Sequence, residues 1–231
     1  MRRLAFSPLL LVLFVAVPAL ADGGNYITHE QLDLTKVLAP PPAQDSPTTT
    51  AEIGQLLLIQ QVRTPDQAAA AQADATEDVF RFANVMGPDF TADKLPVAKA
   101  FFARVAEDEG YIVDPAKDVW KRPRPHIFDP RVKPVVPLSK SGAYPSGHAS
   151  FAYLTAVVLA NMVPEKQAEI FARAADYAHN RVIGGIHYAS DIDAGRIAGT
   201  LIASQELRNA KFQEDFAAAR AEVRRVLGYG G

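Results

Sequence analysis

Apolar residues along this chain recur at intervals of three and four, and that spacing predicts helices. The stretch "TAEIGQLLLIQQVR" starts at a Ser/Thr cap near Thr50 and carries Ile53, Leu57 and Val62. "PDQAAAAQADATEDVFRFANVMG" follows, with Pro65 in its first turn and Gly87 as its stop. In "LPVAKAFFARVAEDEG", Val97, Phe101, Phe102 and Val105 share a face, and Gly110 follows. The residues from Lys117 to Trp120 make only a short piece, because Pro123 and Pro125 prevent a continuous helix. After a proline-rich loop from Pro125 to Pro145, "SGHASFAYLTAVVLANMV" is apolar nearly all round, as a helix buried in a core is. Only 15 residues separate His148 from Pro164, too few to span a bilayer. "PEKQAEIFARAADYAHNRVIGG" is amphipathic and opens at Pro164, and a last segment runs from Tyr188 to Leu227 with one break. No alternating pattern supports a strand, and there is no internal repeat of fixed period. The expected fold is all-α, a single-domain helical bundle.

Composition changes this picture mainly at the ends of the argument. The 231 residues suffice for one domain with a substantial core, and 48% hydrophobic with 22% charged residues is ordinary for a globular chain. A net charge of −2 gives no general attraction for nucleic acid or anionic membranes, so any bound anion must be held by a few placed cations. The absence of cysteine excludes disulfides, thiolate metal sites and a thiol nucleophile. "MRRLAFSPLLLVLFVAVPALADGG" has the basic start, apolar run and Ala-Leu-Ala exit of a secretory signal peptide cleaved after Ala21. Loss of Arg2 and Arg3 takes the net charge from −2 to −4. Residues 22–50, rich in Pro, Thr and Asp, read as an extended arm on the surface, and 51–231 as the helical domain.

Three clusters carry candidate chemistry. "KDVWKRPRP" holds Lys117 and Arg124, with Lys121 and Arg122 between them; its prolines stiffen the loop that bears Arg124. "GAYPSGHAS" places Ser146, Gly147 and His148 where a loop turns into a buried helix, and a helix N-terminus presents free N–H groups to an anion. In "HNRVIGGIHYASDIDAGR", His187 and Asp191 stand at i, i+4, so on a helix the carboxylate reaches the ring and fixes its tautomer. Together these supply three cations (Lys117, Arg124, Arg181), two donors, two histidines and a carboxylate. Three cations around tetrahedral oxygens suit phosphoryl transfer, with one histidine to attack and one to protonate the departing oxygen.

K-x6-R-P, then P-S-G-H, then R-x5-H-x3-D resembles the signature of the type 2 phosphatidic acid phosphatase (PAP2) superfamily. Within it the chain is similar to the bacterial class A non-specific acid phosphatases, in size, leader, "APPP" arm and third motif. The resemblance implies the helical bundle shared by PAP2 phosphatases and vanadium haloperoxidases. It also implies a periplasmic acid phosphatase that hydrolyses phosphate monoesters through a phosphohistidine, with a broad substrate range and scope for phosphate transfer to alcohols. His187 would be the nucleophile, Asp191 its orienting partner, and His148 the general acid and later the base. Lys117, Arg124, Ser146, Gly147 and Arg181 would bind the phosphoryl oxygens, with no metal and no cofactor. The partners implied are small phosphomonoesters, with no nucleic-acid polymer and no membrane span after cleavage; a homo-oligomer is compatible with the sequence. The chain departs from the pattern at Asn180, where the family has Ser, at Ala143 (Ser) and at Ala149 (Thr). "AYPSGHASF" also resembles the vanadium-dependent haloperoxidases, much larger chains with the same anion pocket, which makes that activity the alternative reading. A non-catalytic phosphate-binding protein would have no use for a His–Asp pair opposite a second His. His29, His126 and His179 lie outside the signature, and Tyr144 and Tyr188 flank the two histidines, either packed in the core or stacked on an aromatic leaving group.

Overall fold

The computed structural model describes residues 24–230, so the leader expected over 1–21 lies outside the described residues. Among the described residues all regular structure is helical, as the apolar spacing predicts. A single turn, α1 (Leu34–Val37), precedes α2 (Pro47–Val62), α3 (Pro65–Ala73) and, after a 3-10 turn at Val79–Phe82, the short α4 (Ala83–Met86). The 25-residue α5 (Pro96–Trp120) is followed by α6 (Pro125–Phe128), α7 (Gly147–Met162), α8 (Gln167–Ile183), α9 (Ala189–Glu206) and α10 (Ala210–Val226). None of these helices is long and apolar enough to cross a membrane.

Helix α7 is the axis of the molecule, buried on nearly every side and packed against α8, α9 and α5, while α10 closes the outer face of α5. The α7–α9 crossing is unusually close because α9 has no side chain there. A Cβ on Gly199 would fall 2.1 Å from the Ser150 carbonyl oxygen, and one on Gly195 would fall 2.6 Å from that of Ser146. Such contact between backbones needs glycine. It also sets the position of the two helix starts, and Ser146 N–H donates to the Asp191 carbonyl at 3.0 Å.

Several boundaries differ from the sequence reading, each for a local or tertiary reason. α2 begins at Pro47, ahead of Thr50, because the Ser46 hydroxyl accepts the Thr49 N–H at 3.1 Å and proline fits the first turn. The helix from Pro65 does not run on to Gly87. It stops at Ala73, Asp74 turns its carboxylate inward, and Asp78 caps a new 3-10 turn through Phe80 N–H. Conversely, α5 does not stop at Gly110, and Lys117 to Trp120 is its last turn and no separate piece. Burial of Ile112, Val113 and Ala116 outweighs the weak helix propensity of Gly110 and the backbone bond lost at Pro115. Residues 24–50 are not simply a surface arm: Tyr26, Ile27, Leu32, Leu34 and Leu38 are buried in the main core, and residues 39–43 carry no regular structure before the turn at 44–45 leads into α2.

Candidate active site

The ends of α5, α7, α8 and α9 meet at one cavity of about 300 Å³, lined by Lys117, Arg124, Gly147, His148, Arg181 and His187 among others. Ser146 lies just beneath it as the N-cap of α7, its oxygen accepting the Ala149 N–H. Asp191 is fully buried behind His187. All eight residues singled out in the three clusters therefore converge.

His187 is in the turn before α9 and is not part of the helix, so its pairing with Asp191 is made differently from the shared helical face expected. Asp191 occupies the first turn of α9, and its Oδ2 accepts the Tyr188 N–H at 2.9 Å. The same oxygen faces His187 Nδ1 at 3.1 Å. Nδ1 carries the proton donated to that carboxylate, and Nε2 then accepts from Arg124 Nη1 at 2.7 Å, since a guanidinium can only donate. Burial and the charges of Arg124 and Arg181 hold the His187 ring well below the ordinary histidine range, so it stays neutral with a lone pair on Nε2. Burial raises the Asp191 carboxyl, against the pull of Arg122, whose Nη1 donates to Oδ1 at 2.6 Å.

Arg124 is fixed by four carbonyl or hydroxyl partners in addition to His187. Nε donates to the Ser141 carbonyl at 3.1 Å, Nη2 to Ser141 Oγ and the Gly142 carbonyl at 3.2 Å each, and Nη1 to the Ile186 carbonyl at 3.3 Å. Burial lowers its pKa to about 10, which leaves it charged in use. Arg181, in the last turn of α8, donates from Nη1 to the carbonyls of Ala71 and Asp74, while its buried Nε has no partner among the described residues. Lys117 Nζ reaches Asp114 at 2.8 Å and lies 3.1 Å from where a Cβ on Gly147 would stand, so a side chain there would crowd the lysine over the α7 N-terminus.

His148 faces two acceptors. Its Nε2 is 3.0 Å from the Ala75 carbonyl and its Nδ1 is 3.0 Å from Glu77 Oε1, an arrangement satisfied when both ring nitrogens carry protons. Burial acts to raise the Glu77 carboxyl, but the hydrogen bond and charge of His148, with Lys117 and Arg181, hold it below its usual value.

Several partners escape the sequence reading. Arg122, which reads as part of a charge run, is buried, lies 3.9 Å over the Tyr188 ring and joins Asp191 to Glu52 at 2.9 Å. Asp74 gathers Arg173, Arg81 and Asn180, the last at 2.8 Å, so the family's serine is replaced by an amide with a carboxylate of its own. Ala143 sits in an apolar cluster with Ile53, Leu56 and Val182, and Ala149 is buried at the tight α9 crossing, where its Cβ would lie 2.7 Å from one on Gly195. Tyr144 and Tyr188 are both core residues: Tyr144 donates to the Ala39 carbonyl and abuts Trp120, and Tyr188 lies under Arg122. His29 stacks on Tyr111, His126 borders Arg124, and His179 faces a separate cavity on α8.

Fold and site together define an all-helical protein with a cation-lined cavity between a carboxylate-held histidine and a second histidine. The pattern of the PAP2 superfamily matches residues 100–211. The chain is 30% identical over 217 residues to a non-specific acid phosphatase of Providencia stuartii, covering 87% of this chain and 85% of that one. It is 28% identical to an acid phosphatase of Zymomonas mobilis subsp. mobilis, covering 86% and 78% of the two chains. Its fold resembles the crystal structure of a transmembrane PAP2 type phosphatidylglycerolphosphate phosphatase from Bacillus subtilis, with a TM-score of 0.54 at 18% identity over 74% of this chain and 89% of that one. The chain belongs to the PAP2 superfamily.

Proposed function

We propose that this protein is an exported acid phosphatase that hydrolyses phosphate monoesters through a phosphohistidine on His187. The observation that carries the reading is the placement of His187, its Nδ1 on Asp191 and its Nε2 turned toward Arg124 beside Arg181 and Lys117. In the first step the Nε2 lone pair attacks phosphorus and the P–O bond to the alcohol breaks. Arg124 transfers its Nη1 hydrogen bond from His187 to a phosphoryl oxygen, and the positive charge that develops on the ring is stabilised by Asp191. His148 gives up a proton to the leaving oxygen, exchanging its bond to the Ala75 carbonyl for one to the alcohol. In the second step His148 takes a proton from water, the water oxygen attacks phosphorus, and the P–N bond breaks to release phosphate. An alcohol in place of that water gives phosphate transfer.

Lys117, Arg124 and Arg181, with the Ser146 hydroxyl and the Gly147 N–H, supply the charge stabilisation that other phosphatases draw from metal ions. Cleavage after Ala21 would leave a periplasmic chain starting at Asp22. The test is a panel of phosphate monoesters assayed with EDTA, followed by rapid-quench labelling. Turnover unaffected by EDTA and acid-labile label on the protein support the reading. Activity that EDTA abolishes and a divalent ion restores would refute it, and bromide oxidation with vanadate and peroxide but no phosphatase activity would favour the haloperoxidase alternative.

A further inference from the structure

Glu109 lies on α5 two turns before Lys117, and no step of the mechanism above uses it. Its side chain lines the cavity yet is 3% exposed, and Oε1 is buried with no hydrogen-bond partner among the described residues. Buried oxygens are rarely left so. The unpartnered atom faces the cradle: the Cβ position of Gly147 is 3.6 Å from Glu109 Oε1, 3.1 Å from Lys117 Nζ and 3.7 Å from Glu77 Oε1. An anionic oxygen seated at the start of α7 therefore meets Glu109 as well as Lys117. As a carboxylate Glu109 would oppose the anion that three cations attract, whereas as a carboxylic acid it offers an O–H.

We propose that Glu109 is a further substrate-binding residue, held as the carboxylic acid and donating its O–H to the phosphoryl group seated between Lys117 and Gly147. The inference rests on the phosphoryl-pocket reading. The charged and titratable groups around Glu109 are Glu77 ahead of α4, Asp114 and Lys117 on α5 itself, His148 on α7, Arg181 on α8, and Arg124 and His187 across the cavity. Burial, then the charge of Glu77, pushes the Glu109 carboxyl well above its ordinary range; Lys117 opposes this and Asp114 adds to it. The proton stays on Glu109 throughout turnover, so the residue binds and does not shuttle. Its consequence is a site that takes an anion best while Glu109 is protonated and rejects it once that carboxyl ionises.

Sulfate is the probe, because its own charge is constant across the range and any pH dependence belongs to the protein. Binding is measured by titration calorimetry from about pH 5 to pH 9 for the wild-type protein, Glu109→Gln and Glu109→Leu, each checked by thermal melting. At the acid end Glu109→Gln, which still donates, should bind within a few-fold of wild type, and Glu109→Leu about ten- to a hundredfold more weakly. As pH rises through the Glu109 ionisation, wild-type affinity should fall more steeply than that of Glu109→Gln. Equal acid-end binding by Glu109→Leu and wild type, or acid-end binding by Glu109→Gln as weak as that of Glu109→Leu, would overturn the proposal. Failure of the wild-type protein to bind sulfate at any pH would instead overturn the phosphoryl pocket itself.

Discussion

His187 and His148 face one cavity with opposite hydrogen-bond surroundings, and each environment predicts a different loss. His187 Nε2 is a lone pair among cations, so His187→Ala should be inactive on every phosphomonoester and trap no label. His148 faces two acceptors, and losing a general acid typically costs about 10²–10⁴-fold according to how much the leaving oxygen needs a proton. His148→Ala should therefore lose far more single-turnover rate on an alkyl phosphate than on a nitrophenyl phosphate. Equal losses on the two would reverse the assignment. The direction of the His187 shift makes a second prediction. Burial and the neighbouring arginines hold that ring below its usual 6.5, so the proposed nucleophile protonates only as pH falls through that lowered value. The acid limb of kcat/KM should lie below pH 6.5, and an acid limb at or above it would mean that the ring is not shielded as described.

Helix α9 shows what the sequence makes legible at the level of elements and what it hides. Its start, its break before α10 and its motif are all readable, but the reason for Gly195 and Gly199 is not, because their partners Ser146 and Ser150 lie about 50 residues away along the chain. Gly199→Ala would push a methyl group to 2.1 Å from the Ser150 carbonyl oxygen. It should destabilise the fold by about 1–3 kcal/mol or more and cut turnover, since the same crossing aligns His148 with His187; an unchanged melting temperature would show that α9 yields freely. The far end of α9 carries Glu206, fully buried against Asp108 of α5, and an acid on an apolar stripe is a signal that sequence can offer without naming its partner. Burial, then the Asp108 charge, raises Glu206 to about 9 from 4.5. The folded protein keeps a proton there that the unfolded chain gives up above about pH 4.5, so stability falls as pH climbs from there to about 9. Glu206→Gln should flatten that decline, by an amount on the order of a few kcal/mol at the alkaline end. Denaturant melts at several pH values decide it, and identical slopes would remove the buried acid from the account.

Across the whole molecule, the N-terminal segment is a structural member and not a loose lead-in. Tyr26 packs edge-on against Phe212, its hydroxyl donates to Asp215 of α10 at 2.7 Å and accepts from Arg104 of α5 at 2.6 Å, and Asp108 takes its backbone N–H at 2.8 Å. Tyr26→Ala should destabilise by about 3–5 kcal/mol, in the range for large aromatic truncations, and a loss under 1 kcal/mol would mean that the segment can detach without consequence. Sequence alone misreads this stretch because proline-rich composition describes local backbone preference and says nothing of which apolar side chains find a core. The candidate site is the reverse case: Lys117, Arg124, Ser146, Gly147, His148, Arg181, His187 and Asp191 are named by spacing, while Glu52, Glu77, Glu109 and Arg122 are found only once distant elements are brought together.

The contact between Arg124 and His187 also decides what the protein will leave alone. The His187 Nε2 lone pair is already engaged by Arg124, and in the proposed mechanism what disengages it is an anionic oxygen able to take the arginine's N–H in exchange. A phosphotriester, carrying no such charge, has nothing to trade for that hydrogen bond, however good its leaving group. On the proposed mechanism the same arginine acts as a chemical filter, and a neutral nitrophenyl triester should pass through the cavity unhydrolysed.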